Sequence, residues 1–185
     1  MCLSGSQIMA YNGIECLPEL LLISDYNNDW EEYIQILYQY FSEDFIHHKP
    51  IINGYELRLK RYPLKQGKEA TFWHLITRGK DESTRLPDID RCERIRWPKP
   101  IILNLSENDI KAFSRNIKGE NRIHLWLESL DYVVVIAERY DSTKNEYYYL
   151  PWTAFCIDEN HTRRKFEKYY NAHKKANAAL FGTAS

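Results

Sequence analysis

The stretch "EATFWHLITRG", residues 69–79, sets His74 inside a short apolar run that ends on Arg78 and Gly79. Imidazole ionises near neutral pH, so a histidine on a hydrophobic element is either a satisfied core residue or a placed acid/base. Read as a strand, the stretch puts Phe72, His74, Ile76 and Arg78 on one face and Trp73 and Leu75 on the other. His74 and Arg78 would then point at a common anion.

Downstream, "RLPDIDRCERIRWPKP" holds Arg85, Arg91, Arg94, Arg96 and Lys99 around Trp97. On a helix Arg91 and Arg94 are three apart and share a face. The forked donors of a guanidinium match phosphate oxygens and stay charged, and Trp97 beside them suits base stacking. The competing reading is a solvated basic helix paired with Asp88, Asp90 and Glu93. Arg139 emerges at the end of "YVVVIAERY", beyond the apolar face of Val133, Val135 and Ala137. In "YYYLPWTAF", Thr153 is a small polar residue on a face shared with Tyr147, Tyr149 and Phe155.

Other chemistries find no support. Cys2, Cys16, Cys92 and Cys156 are scattered, and His47 and His48 lack acidic or thiol partners at ligand spacing, so no metal is expected. Seven single glycines form no phosphate-cradling loop, so no nucleotide cofactor is expected either.

The elements that must position these residues are legible in part. "DWEEYIQILYQYFSEDF" spaces Trp30, Tyr33, Ile34, Leu37, Tyr40 and Phe41 as an amphipathic helix capped by Asp29. "GYELRLKRY" alternates as a half-buried strand, "PLKQGKEA" turns, and "TFWHLITR" returns as its hairpin partner. "LPDIDRCERIRW" reads as a helix opened by Pro87 and Asp88 and closed before Pro98. "PIILNL" is a short apolar run. "SENDIKAFSRNI" reads as a small helix with Ser106 as N-cap. Three strand signals follow, "RIHLWLES", "YVVVIAERY" and "EYYYLPWTAF", then a basic C-terminal helix. The predicted fold is α+β, with helices preceding and flanking a four- to five-stranded antiparallel sheet.

At 185 residues one domain is expected. Within it, 1–20 is poorly specified, 21–48 is an acidic helical segment, 50–170 is the core, and 171–185 is a C-terminal tail. The net charge of −1 hides an asymmetry: residues 1–50 carry eight acidic groups and one lysine, whereas 51–185 carry 24 basic and 18 acidic. A basic working surface with an acidic appendage, able to restrain it, fits that division. The unpaired cysteines and the absence of an apolar leader or membrane-length run favour the cytoplasm and argue against a membrane partner.

In order along the chain, "FWHLITRG", "RLPDIDRCERIRWPKPIIL", "DYVVVIAERYD", "YYYLPWTAF" and "RRKFEKYY" resemble the phage- and toxin-associated branch of the barnase–EndoU–colicin–RelE group of nucleases. The resemblance spans roughly residues 50–170. It implies a metal-independent endoribonuclease without cofactor, acting on RNA and leaving a 2′,3′-cyclic phosphate, with an antitoxin or immunity protein as a second partner. It implies His74 as acid/base, Arg91 and Arg94 near the scissile phosphate, Arg139 on the transition-state charge, and Thr153 or Tyr149 orienting a substrate oxygen. Arg78, Arg96, Trp97 and Lys99 join the RNA-binding set. Glu138, Tyr149 and His124 compete for the second proton transfer. The rival readings are a non-catalytic RNA-binding module and a phage-type protein-interaction factor.

Overall fold

The computed structural model describes residues 9–11, 14–52, 54–79, 81–104 and 109–181. A short hairpin of β1 (Met9–Tyr11) and β2 (Ile14–Leu17) leads to α1 (Trp30–Ser42). Asp29 caps α1 as its spacing predicts, its carboxylate accepting from the backbone amides of Glu31 and Glu32. The inward stripe is Tyr33, Ile34, Leu37 and Phe41. Next come the two-residue strands β3 (Ile51–Ile52) and β4 (Tyr55–Glu56). The alternation of "GYELRLKRY" thus makes only β4, after which Leu57 bridges to Tyr149.

"TFWHLITR" is not a strand. Residues Ala70–Ile76 form helix α2, and β5 (Thr77–Arg78) follows. All seven residues of α2 are buried. A short run that is apolar all round carries no period, so helix and buried strand look alike in sequence. Phe72 meets Tyr38 and Phe41 of α1 at ring distances of 5.2 and 5.4 Å, so α2 fills the space beneath α1.

β6 (Leu86–Pro87) pairs with β5, and α3 (Ile89–Glu93) starts on Asp88, which accepts from the Arg91 amide. Helix α4 (Pro98–Leu103) then begins on proline, whose missing amide hydrogen is no loss in a first turn. The four-stranded antiparallel sheet is a meander of β7 (Ile110–Ile117), β8 (Glu120–Leu127), β9 (Tyr132–Asp141) and β10 (Glu146–Cys156), followed by α5 (Asn160–Phe181). β7 corrects a second expectation, for "IKAFSRNI" is a strand, paired with β8 from Ile110↔Leu127 to Ile117↔Glu120. Lys118 and Gly119, both at positive φ, close that hairpin. The proposed cap at Ser106 lies outside the described residues. The fold is therefore mixed α+β with helices preceding and flanking an antiparallel sheet. Its fourth strand is one read as helix, not the hairpin expected near His74.

The sheet has two unlike faces. Leu125, Leu127, Val134, Ile136, Tyr149 and Ala154 pack with α1, α2 and α4 in the main core. On the other face Phe113, Trp126, Val133 and Val135 lie under α5 through Phe166, Tyr169 and Tyr170. By alternation that second face continues through Arg122, Arg139, Tyr148 and Leu150, which α5 does not cover. Among the described residues no helix is long and apolar enough to cross a membrane.

Candidate functional site

β10 does not run straight. Pro151 pairs with Ile136 and Thr153 with Val135, so Trp152 is an extra residue in the ladder, a β-bulge. A bulge re-aims side chains, and here Trp152 and Thr153 both enter one cleft of about 360 Å³. Its walls are His74 from α2, Arg78 and Gly79 from β5 and the turn after it, Glu82 and Arg85 from the following loop, Arg91 from α3, and Phe155. A larger cleft of about 530 Å³ runs past Lys49, Tyr55, Arg58 and Glu146 but holds no histidine.

His74 is buried within this wall. Its Nε2 lies 2.7 Å from Glu82 Oε1, which also accepts from Lys60 Nζ at 2.8 Å. An ionised carboxylate only accepts, so Nε2 carries the proton and Nδ1 is the basic nitrogen of the neutral ring. Burial would raise the Glu82 carboxyl, but the hydrogen bonds from Lys60 and His74 outweigh it and hold the pKa at about 2. Burial also pushes His74 below the ordinary imidazole value, and the neighbouring Glu82 recovers only part of that. The imidazole meets the Trp152 ring edge-on at 5.2 Å.

The cations of the cleft have different jobs. Arg85 is a clip: Nε donates to Thr77 Oγ1, Nη1 to the Gly79 carbonyl, and Nη2 to the carbonyls of Thr77 and, more weakly, His74. It thereby satisfies carbonyls left free where α2 ends, as a cation at a helix C-terminus does. Gly79, at φ +152°, is needed there, since a Cβ would sit 2.9 Å from Arg85 Cα. Arg91 donates through Nη1 to the Thr77 carbonyl and to Thr153 Oγ1, which ties α3 to the bulge. Its buried Nε makes no hydrogen bond but lies 3.5 Å from Asp88 Oδ2. Arg78, with 71% of its side chain exposed, is the free-reaching cation of the cleft, 3.7 Å from Asp88.

The structure thus gathers His74, Arg78, Arg91 and Thr153 from the predicted set and separates the rest. Arg91 and Arg94 do not project together: α3 ends at Glu93, and Arg94 turns back to Asp90 and stacks on Trp97. Trp97 is buried and donates to the Pro18 carbonyl. Arg96 lies over Tyr40, and Lys99 pairs with Asp44 at 3.2 Å. Tyr149 points into the main core and donates to Glu138. His124 is a core residue stacked on Phe113 and packed under α5; burial, with the nearby Arg115 and Arg122, lowers its pKa to about 4. None of the candidates for a second proton transfer therefore reaches the cleft.

Arg139 ion-pairs with Glu120 and lies 5.9 Å from the Trp152 ring, lining a second cleft that does not include His74. Glu82, Arg85, Lys60 and Trp152 were missed as site residues. Only the basic character of Arg85 and Lys60 was readable, because a bulge and a loop returning across eight residues leave no periodic trace.

Among the described residues no group of three His, Cys, Asp or Glu side chains is placed to hold a metal ion. Compared with known proteins, the chain matches no family model, no curated protein and no solved structure.

Proposed function

We propose that this cleft is the active site of a metal-independent endoribonuclease, in keeping with the resemblance to the barnase–EndoU–colicin–RelE group. The carrying observation is the His74–Glu82 pair at 2.7 Å in a cleft shared with Arg78, Arg91 and Trp152. In the proposed reaction His74 Nδ1 takes the proton of a 2′-hydroxyl as that oxygen attacks phosphorus. The bond from phosphorus to the 5′-oxygen breaks, and the leaving oxygen receives the proton back from the same imidazolium. The products are a 2′,3′-cyclic phosphate and a free 5′-hydroxyl. Glu82 is a positioning residue that fixes the ring's tautomer and offsets the imidazolium charge. Arg78 and Arg91 stabilise charge on the phosphorane-like transition state. An antitoxin or immunity protein as partner belongs to the same proposal.

The test is incubation of the pure protein with a mixed RNA pool in excess EDTA, beside His74→Ala. The wild type should leave 2′,3′-cyclic phosphate ends, and the variant should be about 10²–10⁴-fold slower. Absence of cleavage by the wild type would overturn the catalytic reading. The second reading is an RNA-binding module, favoured by Arg85 and Arg91 spending donors on protein oxygens. It predicts equal RNA binding by both proteins and no product.

A further inference from the structure

Trp152 separates two clefts. On one side is the histidine cleft. On the other is a cleft of about 440 Å³ lined by Arg58, Leu59, Lys60, Arg139, Tyr148, Leu150 and Trp152 itself. The bulge lifts this indole out of the ladder, and Arg122 fixes it from the sheet, its guanidinium 3.7 Å from the ring centroid. Arg122 is buried, and its Nη1 has no hydrogen-bond partner. A guanidinium held that close to an indole is a strong cation–π contact, so Trp152 is an oriented plate rather than a loose surface ring. Farther along the strand Arg58 lies over Tyr148 at 4.4 Å, a second cation–aromatic pair on the same open face.

Charge alone does not make this a polyanion groove. Seven cations line or back the two clefts: Arg58, Lys60, Arg78, Arg85, Arg91, Arg122 and Arg139. Five carboxylates, Glu82, Asp88, Glu120, Asp141 and Glu146, lie in ion-pair range of members of that set, leaving a surplus of two. A ligand held here must gain more from stacking than from counterion release. Bases inside a duplex offer no free face to an indole, whereas every base of a single strand does.

We infer that single-stranded RNA crosses Trp152, one base stacked on the indole and the neighbouring nucleotides seated in the two clefts, past His74 on one side and Tyr148 on the other. This rests on the proposed function for the direction of the chemistry, but the binding path is separately measurable. The probe is a 2′-O-methylated single strand of about 12 nucleotides, which covers the site and cannot be cut by 2′-oxygen attack. Its anisotropy is titrated beside a duplex of equal length. The single strand should bind about tenfold more tightly than the duplex, and Trp152→Ala should weaken it by about tenfold while Trp152→Phe largely restores it. With a surplus of two cations, the slope of log K against log salt should be about −1.4. Equal or tighter duplex binding, indifference to Trp152→Ala, or a slope several times steeper would each overturn the inference. Trp152-dependent binding with no cleavage of unmodified RNA would sink only the catalytic reading. Cleavage with binding indifferent to Trp152 would sink only the strand path.

Discussion

His74 and His124 are one residue type in two environments, and pH separates them. His124 has its Nδ1 on the Arg122 carbonyl and a pKa of about 4 in the folded chain, against about 6.5 when unfolded. Between those values the unfolded chain takes up a proton that the native protein refuses. Stability is therefore full above about pH 6.5 and falls as pH drops toward 4, by about 3 kcal/mol in all. Urea unfolding of His124→Gln should show a flatter profile than wild type between pH 6.5 and 4.5. Glu82 acts lower: its folded value near 2 gives stability that is present above its unfolded value of 4.5 and lost below it. For His74 the lowered pKa keeps the ring neutral, and so basic, below pH 6.5. The acid limb of the cleavage rate should lie below that pH. Glu82→Gln removes the carboxylate that steadies the imidazolium, so it should move the limb lower still and slow cleavage by about 10- to 100-fold.

The corner from α2 into β5 is where local sequence pattern and structure part furthest. In "TFWHLIT" aromatic and β-branched residues favour a strand by propensity. Burial on every side, against α1 and the sheet, made it a helix. With the wrong period, His74 and Arg78 were placed on one face by alternation, yet both line the cleft because α2 stops and the chain turns sharply at Gly79. By contrast α1, β8, β9 and β10 were legible, since each carries its own period or cap. Arg91 and Thr153 each stand out by residue type, but the bond that joins them spans 62 positions and no local signal pairs them. The clip that holds the corner is testable. Arg85→Met leaves the Gly79 carbonyl without its donor and the Thr77 carbonyl with Arg91 alone, and should cost about 1–3 kcal/mol in urea unfolding. Gly79→Ala should cost about 1–3 kcal/mol through its φ and the approach to Arg85. Either variant should weaken cleavage even where the fold persists.

Across the entire chain, the split between an acidic first quarter and a basic remainder has a definite structural outcome. Basic residues do meet this segment, from two places: Lys68 donates to Gln35 and lies over Tyr38 of α1, while near α4 Arg96 stacks on Tyr40 and Lys99 pairs with Asp44 just past the end of α1. No residue of α1 lines the His74 cleft or the cleft beside Tyr148. Among the described residues Asp44 is the one acidic group of that first quarter in an ion pair with a cation of the remainder, so charge asymmetry in sequence is no guide to which cations face a ligand. α5 supplies the second half of the packing, and Phe166 is its keystone, with ring contacts to Phe113, His124, Trp126 and Phe155. Phe166→Ala should lower unfolding stability by about 3–5 kcal/mol. The bulge in β10 separates what the sheet needs from what the cleft needs. Pro151 and Thr153 already face consecutive partners, Ile136 and Val135. Removing Trp152 from the chain would close the ladder without shifting a single register on either side. The sheet is thus one codon away from a regular strand, and that codon encodes the wall between the two clefts. A frame-preserving loss of one residue would leave the ladder regular and merge the two clefts, so the wall between them is an insertion carried by the fold and not a condition of it.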